Sequence, residues 1–356
     1  MISQSGNVSA RGKAVRPSSG QAAAQPATDI ARSPPRGHAV VGAFMRRSFS
    51  IIDGPARSSG ALATVPPERT SSLFLGIFIH LGPAAALVAI ASATRFAIVP
   101  FVVAYLVVTV AGVLLTLWVE QRDPSVALAP VSTREVMDGI AVIALKGAVL
   151  GTGVVVGGWW LLSKLAFPWR TEGWLPIVIA VPLTDLAYYL GHRFLNHGKR
   201  ARSIMGPIVR WYRRSHAPHH AVGALDFLRG NVSSAIDTGV TSFQIPLAII
   251  AVLLGMDLAS TLVAYALVLT LQGTHHVNHT FDIGVLRYLF VDNHNHKLHH
   301  CPRGNLVNFG AIFSVWDRLF GTYYEDRSLS PSYMEKHGIG LPVRPAERAT
   351  AGAVHA

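Results

Sequence analysis

Four apolar runs, at about residues 72–93, 97–119, 137–162 and 174–190, decide what this chain can fold into. Each meets or nearly meets the length of ~20 residues that a helix needs to cross a hydrocarbon core of ~30 Å. The composition agrees, because 50% hydrophobic and 14% charged residues are too apolar for an ordinary soluble chain. Thr94-Arg95 is a short turn, so the first two runs predict a helical hairpin. Residues 120–136 read as a polar loop. A second apolar pair covers about 236–255 and 258–276, broken at Gly255-Met256-Asp257. Its ends are more polar, which predicts helices that tilt or enter the membrane only partly. The expected fold is all-α: an integral membrane helical bundle of about four to six spans.

The charge pattern gives the bundle a side. Lys and Arg gather in cytoplasmic loops, facing anionic lipid. Residues 191–230 carry eight Lys or Arg against one acid, Asp226, whereas the opposite connections hold only Arg95, Lys164 and Arg170. This predicts that both termini and the 191–230 segment face the cytoplasm. The net charge of +12 is then a membrane signature. The chain shows no recognition helix, zinc finger or RNA-binding motif, so no nucleic-acid partner is expected. Residues 1–68, rich in Ser, Ala, Gly, Pro and Arg, read as a disordered basic N-terminal tail. Residues 69–173 read as N-terminal transmembrane helices, and 326–356 as a C-terminal tail. Gly151, Gly153, Gly157 and Gly158 lie in an apolar run and read as small-residue helix packing, not as a nucleotide loop.

Twelve of the sixteen histidines lie between positions 192 and 300. They form four clusters: His192 and His197; His216, His219 and His220; His275, His276 and His279; and His294, His296, His299 and His300. The predicted topology brings every cluster to one face of the membrane. Imidazole is the commonest metal ligand and suits iron, zinc, copper and nickel. The single cysteine, Cys301, excludes a multi-cysteine zinc or iron–sulfur site. On a helix, positions i, i+3 and i+4 share a face, and the HxxHH pattern at 216–220 and 296–300 has that spacing. Its two adjacent histidines point about 100° apart, so one cluster can serve two metals. Pro218 is expected in the first turn of a helix, and Pro302 just beyond the end of one. His192 and His197, five apart, can face one metal only if their helix loosens. Asp185 reads either as an acceptor orienting a metal-bound imidazole or as an interhelical hydrogen-bond partner. His275, His279 and His294 are the candidate bystanders, because the other nine complete the pattern.

Taken as a set, these residues resemble the fatty acid hydroxylase/sterol desaturase superfamily of membrane-bound, histidine-rich di-iron oxygenases. The resemblance rests on Asp185…Tyr188-Tyr189…His192-Arg193…His197, then His216…His219-His220 and His276-Val277-Asn278. It continues through His296…His299-His300, Asn308-Phe309-Gly310 and Trp316-Asp317-Arg318-Leu319-Phe320-Gly321-Thr322. Residues 174–325 are thus the expected catalytic domain, under a cytoplasmic histidine-rich helical cap. The four-residue gap between His192 and His197 looks like fatty acid 2-hydroxylases, whereas the Trp316–Thr322 ending looks like sterol desaturases.

The resemblance implies two non-haem irons, with zinc as a possible substitute, held by His192, His197, His216, His219, His220, His276, His296, His299 and His300. Asp185 and Asn278 are the implied catalytic residues. The implied reaction uses O2 to hydroxylate a C–H bond of a lipid drawn from the bilayer. There is no HPGG haem motif and no dinucleotide loop, so a separate electron donor is expected, a ferredoxin or cytochrome b5 with its reductase. A desaturase of the same family is the alternative, and a non-catalytic metal-binding membrane protein a more distant one. An intramembrane metalloprotease would need an HExxH glutamate, and no histidine here is followed by Glu.

Overall fold

The computed structural model describes residues 73–125, 133–165, 169–198, 206–220, 226–231, 237, 242–301 and 306–327. The expected tail at 1–68, Pro302 and nearly all of the expected tail at 326–356 lie outside these residues. Among the described residues there is no β-strand, only isolated bridges at Thr171–Met256 and Phe290–Phe313.

Four helices are long and apolar enough to cross a membrane. Helix α1 (Leu73–Ala93) and α2 (Ile98–Arg122) form the expected hairpin around Arg95 and Phe96, both at positive φ. The third span runs over Val136–Leu162, from α3 (Thr133–Ala144) through a π-helical stretch (Leu145–Gly151) to α4 (Thr152–Leu162). The fourth runs over Trp174–Asn196, from α5 (Trp174–Gly191) into a π-helical turn (His192–Asn196).

The second apolar pair is shorter than its sequence suggests: α8 (Gln244–Leu253) and α9 (Leu258–Leu271). A ten-residue helix rises only about 15 Å. The Gly255-Met256-Asp257 break falls where expected, with Gly255 at φ 68°. Asp257 then caps α9 by accepting from Ser260 N at 2.7 Å. Helix α9 packs against α1, α2, α4, α5 and α8 and is buried almost all round, as a helix that is apolar on every face must be. Of the four glycines read as packing residues, Gly158 lies against the methyl of Ala248 and Gly151 against the Tyr265 hydroxyl. Gly153 and Gly157 face open space, so the packing explanation fails for them.

The polar region is built from short elements: α6 (Gly206–His220), α7 (Phe227–Asn231), α10 (Asn293–His300) and α11 (Val315–Leu319). Asp292 caps α10 by accepting from Asn295 N at 2.8 Å, and it pairs with Arg327. Pro218 does not start a helix; it sits in the last turn of α6. There the i−4 carbonyl it leaves without a donor is Arg214's, and the chain leaves the helix two residues later, so the cost of an interior proline is limited.

Candidate metal centre

The π-helical turn supplies the loosening that His192 and His197 require. His197 N donates to His192 O at 3.0 Å, an i+5 bond that brings residues five apart onto one face. Their Nε2 atoms consequently stand 3.2 Å apart.

The nine expected imidazoles fall into two groups. His192, His197, His216, His220 and His299 form one; His219, His276, His296 and His300 form the other. Within each group the candidate ligand atoms all lie within 4.8 Å of one another. The two HxxHH motifs interlock. Each keeps its i, i+4 pair in one group, His216 with His220 and His296 with His300, and sends its i+3 member, His219 or His299, to the other. Helical geometry demands this, because i+3 and i+4 point about 100° apart.

The protein fixes the protons on the first group. A carbonyl oxygen can only accept, so His192 donates from Nδ1 to Phe309 O at 2.8 Å and His299 from Nδ1 to Val307 O at 2.7 Å. His216 donates from Nδ1 to Asp237 at 2.8 Å. In a neutral ring the opposite nitrogen, Nε2, then carries only a lone pair. Yet the Nε2 atoms of His192 and His216 face each other at 3.1 Å, and those of His216 and His220 at 3.0 Å. His299 Nε2 is buried with no partner among the described residues. In the second group, Nε2 of His296 lies 2.9 Å from that of His276 and 3.0 Å from that of His300. Lone pairs brought this close repel unless a cation lies among them, so the donor set fits metal ions.

Burial supports the same reading. It pushes the His276 and His299 imidazoles down to about 3, and those of His219, His220, His296 and His300 well below their ordinary value. Imidazoles neutral at pH 7 are ready to bind metal without first losing a proton.

The three bystander candidates fall outside both groups. His279 donates to Asp123 O at 2.7 Å and His294 to Asp326 O at 2.9 Å. His275 stacks on His296 with ring centroids 4.9 Å apart.

Asp185 makes the second of its two expected kinds of contact. Its carboxylate accepts from Ile312 N at 2.9 Å, Phe313 N at 2.8 Å and Trp316 Nε1 at 3.0 Å. None of its hydrogen bonds among the described residues reaches an imidazole. The acceptors that orient imidazoles are instead Phe309 O, Val307 O and Asp237. Asn278 is buried, with its backbone N–H on Glu120 Oε1 at 2.7 Å and its carbonyl accepting from Ser125 N at 3.0 Å.

The motifs after the last histidines are the scaffold for those carbonyls. Asp317 accepts from Phe309 N at 2.7 Å, Gly310 N at 2.8 Å and the Thr322 hydroxyl at 2.7 Å. Asn308, at φ 53°, donates to Asn295 O and Tyr324 O and accepts from Tyr324 N. Sequence reasoning missed Asp237 and Glu120. The signal for Asp237 was an acid inside an apolar stretch; Glu120 was hidden by its place at the edge of a polar loop.

Residues 177–322 match the family model described as fatty acid hydroxylase. The chain is similar to sphingolipid C4-hydroxylase sur2 of Schizosaccharomyces pombe, at 26% identity over 42% of this chain and 48% of that protein. It is also similar to ornithine lipid hydroxylase OlsE of Rhizobium tropici, at 28% identity over 42% of this chain and 41% of that protein. The chain spans less than half the length of these curated relatives. No solved structure matches it.

Proposed function

We propose, from the premise that this chain belongs through residues 177–322 to the fatty acid hydroxylase superfamily, that it hydroxylates a C–H bond of a membrane lipid. Residues 174–325 are its catalytic domain in this reading. The observation that carries the proposal is the convergence of imidazole lone pairs, with Nε2 of His192 and His216 3.1 Å apart. The nine grouped histidines are the ligands of two irons, and zinc is the metal that would compete for the same donors. Bound there, the irons would supply O2 activation and cleavage of an unactivated C–H bond, with electrons from a separate donor such as a ferredoxin or cytochrome b5 with its reductase.

The chain's own residues divide the remaining work. Phe309 O, Val307 O and Asp237 hold protons on the far nitrogens of His299, His192 and His216 and so aim their Nε2 lone pairs inward. Asp317 fixes the loop that carries the Phe309 carbonyl, and Asp185 fixes its continuation at Ile312 and Phe313. We therefore assign Asp185 to positioning rather than to catalysis. Asn278 holds the His276 segment against Glu120 at the end of α2, and we assign it to positioning as well. The Lys/Arg excess of residues 191–230 puts this face on the cytoplasmic side.

Both relatives are named as hydroxylases, which favours hydroxylation over desaturation. The test is mass spectrometry of total lipids from cells expressing the wild type or His299→Ala with an electron donor supplied. A lipid that gains one oxygen only with the wild type is the expected result. A lipid losing two hydrogens would move the activity to desaturation, and identical lipid profiles would overturn the enzymatic reading.

A further inference from the structure

The two imidazole groups are held very differently on their outer side. In the five-imidazole group, three Nδ1 atoms donate to fixed protein acceptors at 2.7–2.8 Å. One of these acceptors, Asp237, is a carboxylate with only 3% of its side chain exposed. It is itself pinned, because Ser242 donates to its carbonyl from N at 3.0 Å and from its hydroxyl at 2.6 Å. In the four-imidazole group, the Nδ1 atoms of His219, His276, His296 and His300 are all buried and meet no hydrogen-bond partner among the described residues.

That contrast bears on metal affinity. A ligating imidazole whose other N–H is bonded is locked in tautomer and orientation, and it is a stronger base. An anionic acceptor strengthens the effect, since charge-assisted hydrogen bonds are about twice as strong as neutral ones. The count of donors, five against four, acts in the same direction. Resting on the two-metal reading above, we propose that the two positions are unequal: the five-imidazole position is the tighter and fills first, and Asp237 is the positioning residue that sets its affinity. The four-imidazole position holds its metal more loosely.

The experiment is a titration of the purified, chelator-stripped full-length protein in detergent with Co2+, a redox-stable ion that imidazole binds well. Bound metal is followed by calorimetry and elemental analysis. The wild type should take up two Co2+ in two resolved steps. His276→Ala should remove the weaker step and leave the tighter one. Asp237→Asn keeps an acceptor but drops the charge; it should weaken the tighter step by about 10–100-fold and spare the other. A fold defect would lower both steps together, so the selectivity distinguishes positioning from mere structure. Two equal steps in the wild type, or loss of the tighter step in His276→Ala, would overturn the proposal while leaving two metals in place. Both of those readings stand even if Asp237→Asn fails to fold. Uptake of fewer than two Co2+ by the wild type would refute the two-metal reading itself.

Discussion

Helices α2 and α10 invert the rule of soluble proteins. Helix α2 is almost wholly apolar over Ile98–Val119, yet of its 25 residues only Phe101, Thr116 and Val119 are buried. Helix α10 reads Asn-His-Asn-His-Lys-Leu-His-His, and all but the last of its residues are buried. The inversion follows from the surroundings. Hydrocarbon accepts apolar side chains without penalty, so α2 needs few protein neighbours. A buried polar helix needs a partner for every donor and acceptor. Helix α10 has them: Asp292 at its cap, Asn308 on Asn295 O, Val307 O on His299, and the other imidazoles around its ligand nitrogens. Specificity in this molecule therefore lies in the polar interior, and the apolar exterior is comparatively permissive.

Acid should break that contrast most severely. Above about pH 6.5 an imidazole is neutral in both the folded and the unfolded chain and contributes no pH dependence. As pH falls through 6.5 the unfolded chain binds protons that the buried rings of His276 and His299, held at about 3, do not. The unfolded state then carries more protons, so stability drops steadily between about pH 6.5 and pH 3. Thermal melting of the metal-stripped protein across this range should show a falling midpoint; a flat profile would mean that these rings are not buried in solution.

Asp317→Ala comes next. It strips three hydrogen bonds from a buried loop and leaves the N–H groups of Phe309 and Gly310 unsatisfied. The expected loss is about 2–4 kcal/mol, read by denaturant titration in detergent, with bound metal falling because Phe309 O no longer fixes His192.

The smallest effect belongs to α2. Val103→Leu, at a position 57% exposed in the protein alone, should change stability by less than about 0.5 kcal/mol. A larger loss would show that this face packs against protein, a second copy included, and not against lipid.

The spans and the nine grouped histidines were legible in the sequence because both obey a period. Apolar length marks a crossing, and the i, i+3, i+4 spacing assigns imidazoles to faces. The supports were not legible, because they obey no period. Phe309 and Val307 act through carbonyls, which carry no side-chain signature. Asp237 reaches His216 from 21 residues away, and Glu120 reaches Asn278 from 158. The same limit explains Asp185, whose two readings were equally consistent with its neighbours in sequence. Only the fold puts Ile312 and Phe313 beside it.

The turn at His192–Asn196 stores its geometry in chain length. A π-helical turn is an α-helix carrying one surplus residue. Side-chain substitutions at Phe194 or Leu195 preserve that surplus and keep His197 over His192. Deleting either residue would restore an ordinary helix, with the two histidines then four apart and every residue beyond them advanced by about 100°. Arg193 would keep its bond to the Tyr189 hydroxyl at 2.8 Å, while the chain leading to α6 would leave the membrane in a new direction. A substitution scan would pass over this element as tolerant; a single-residue deletion would expose it.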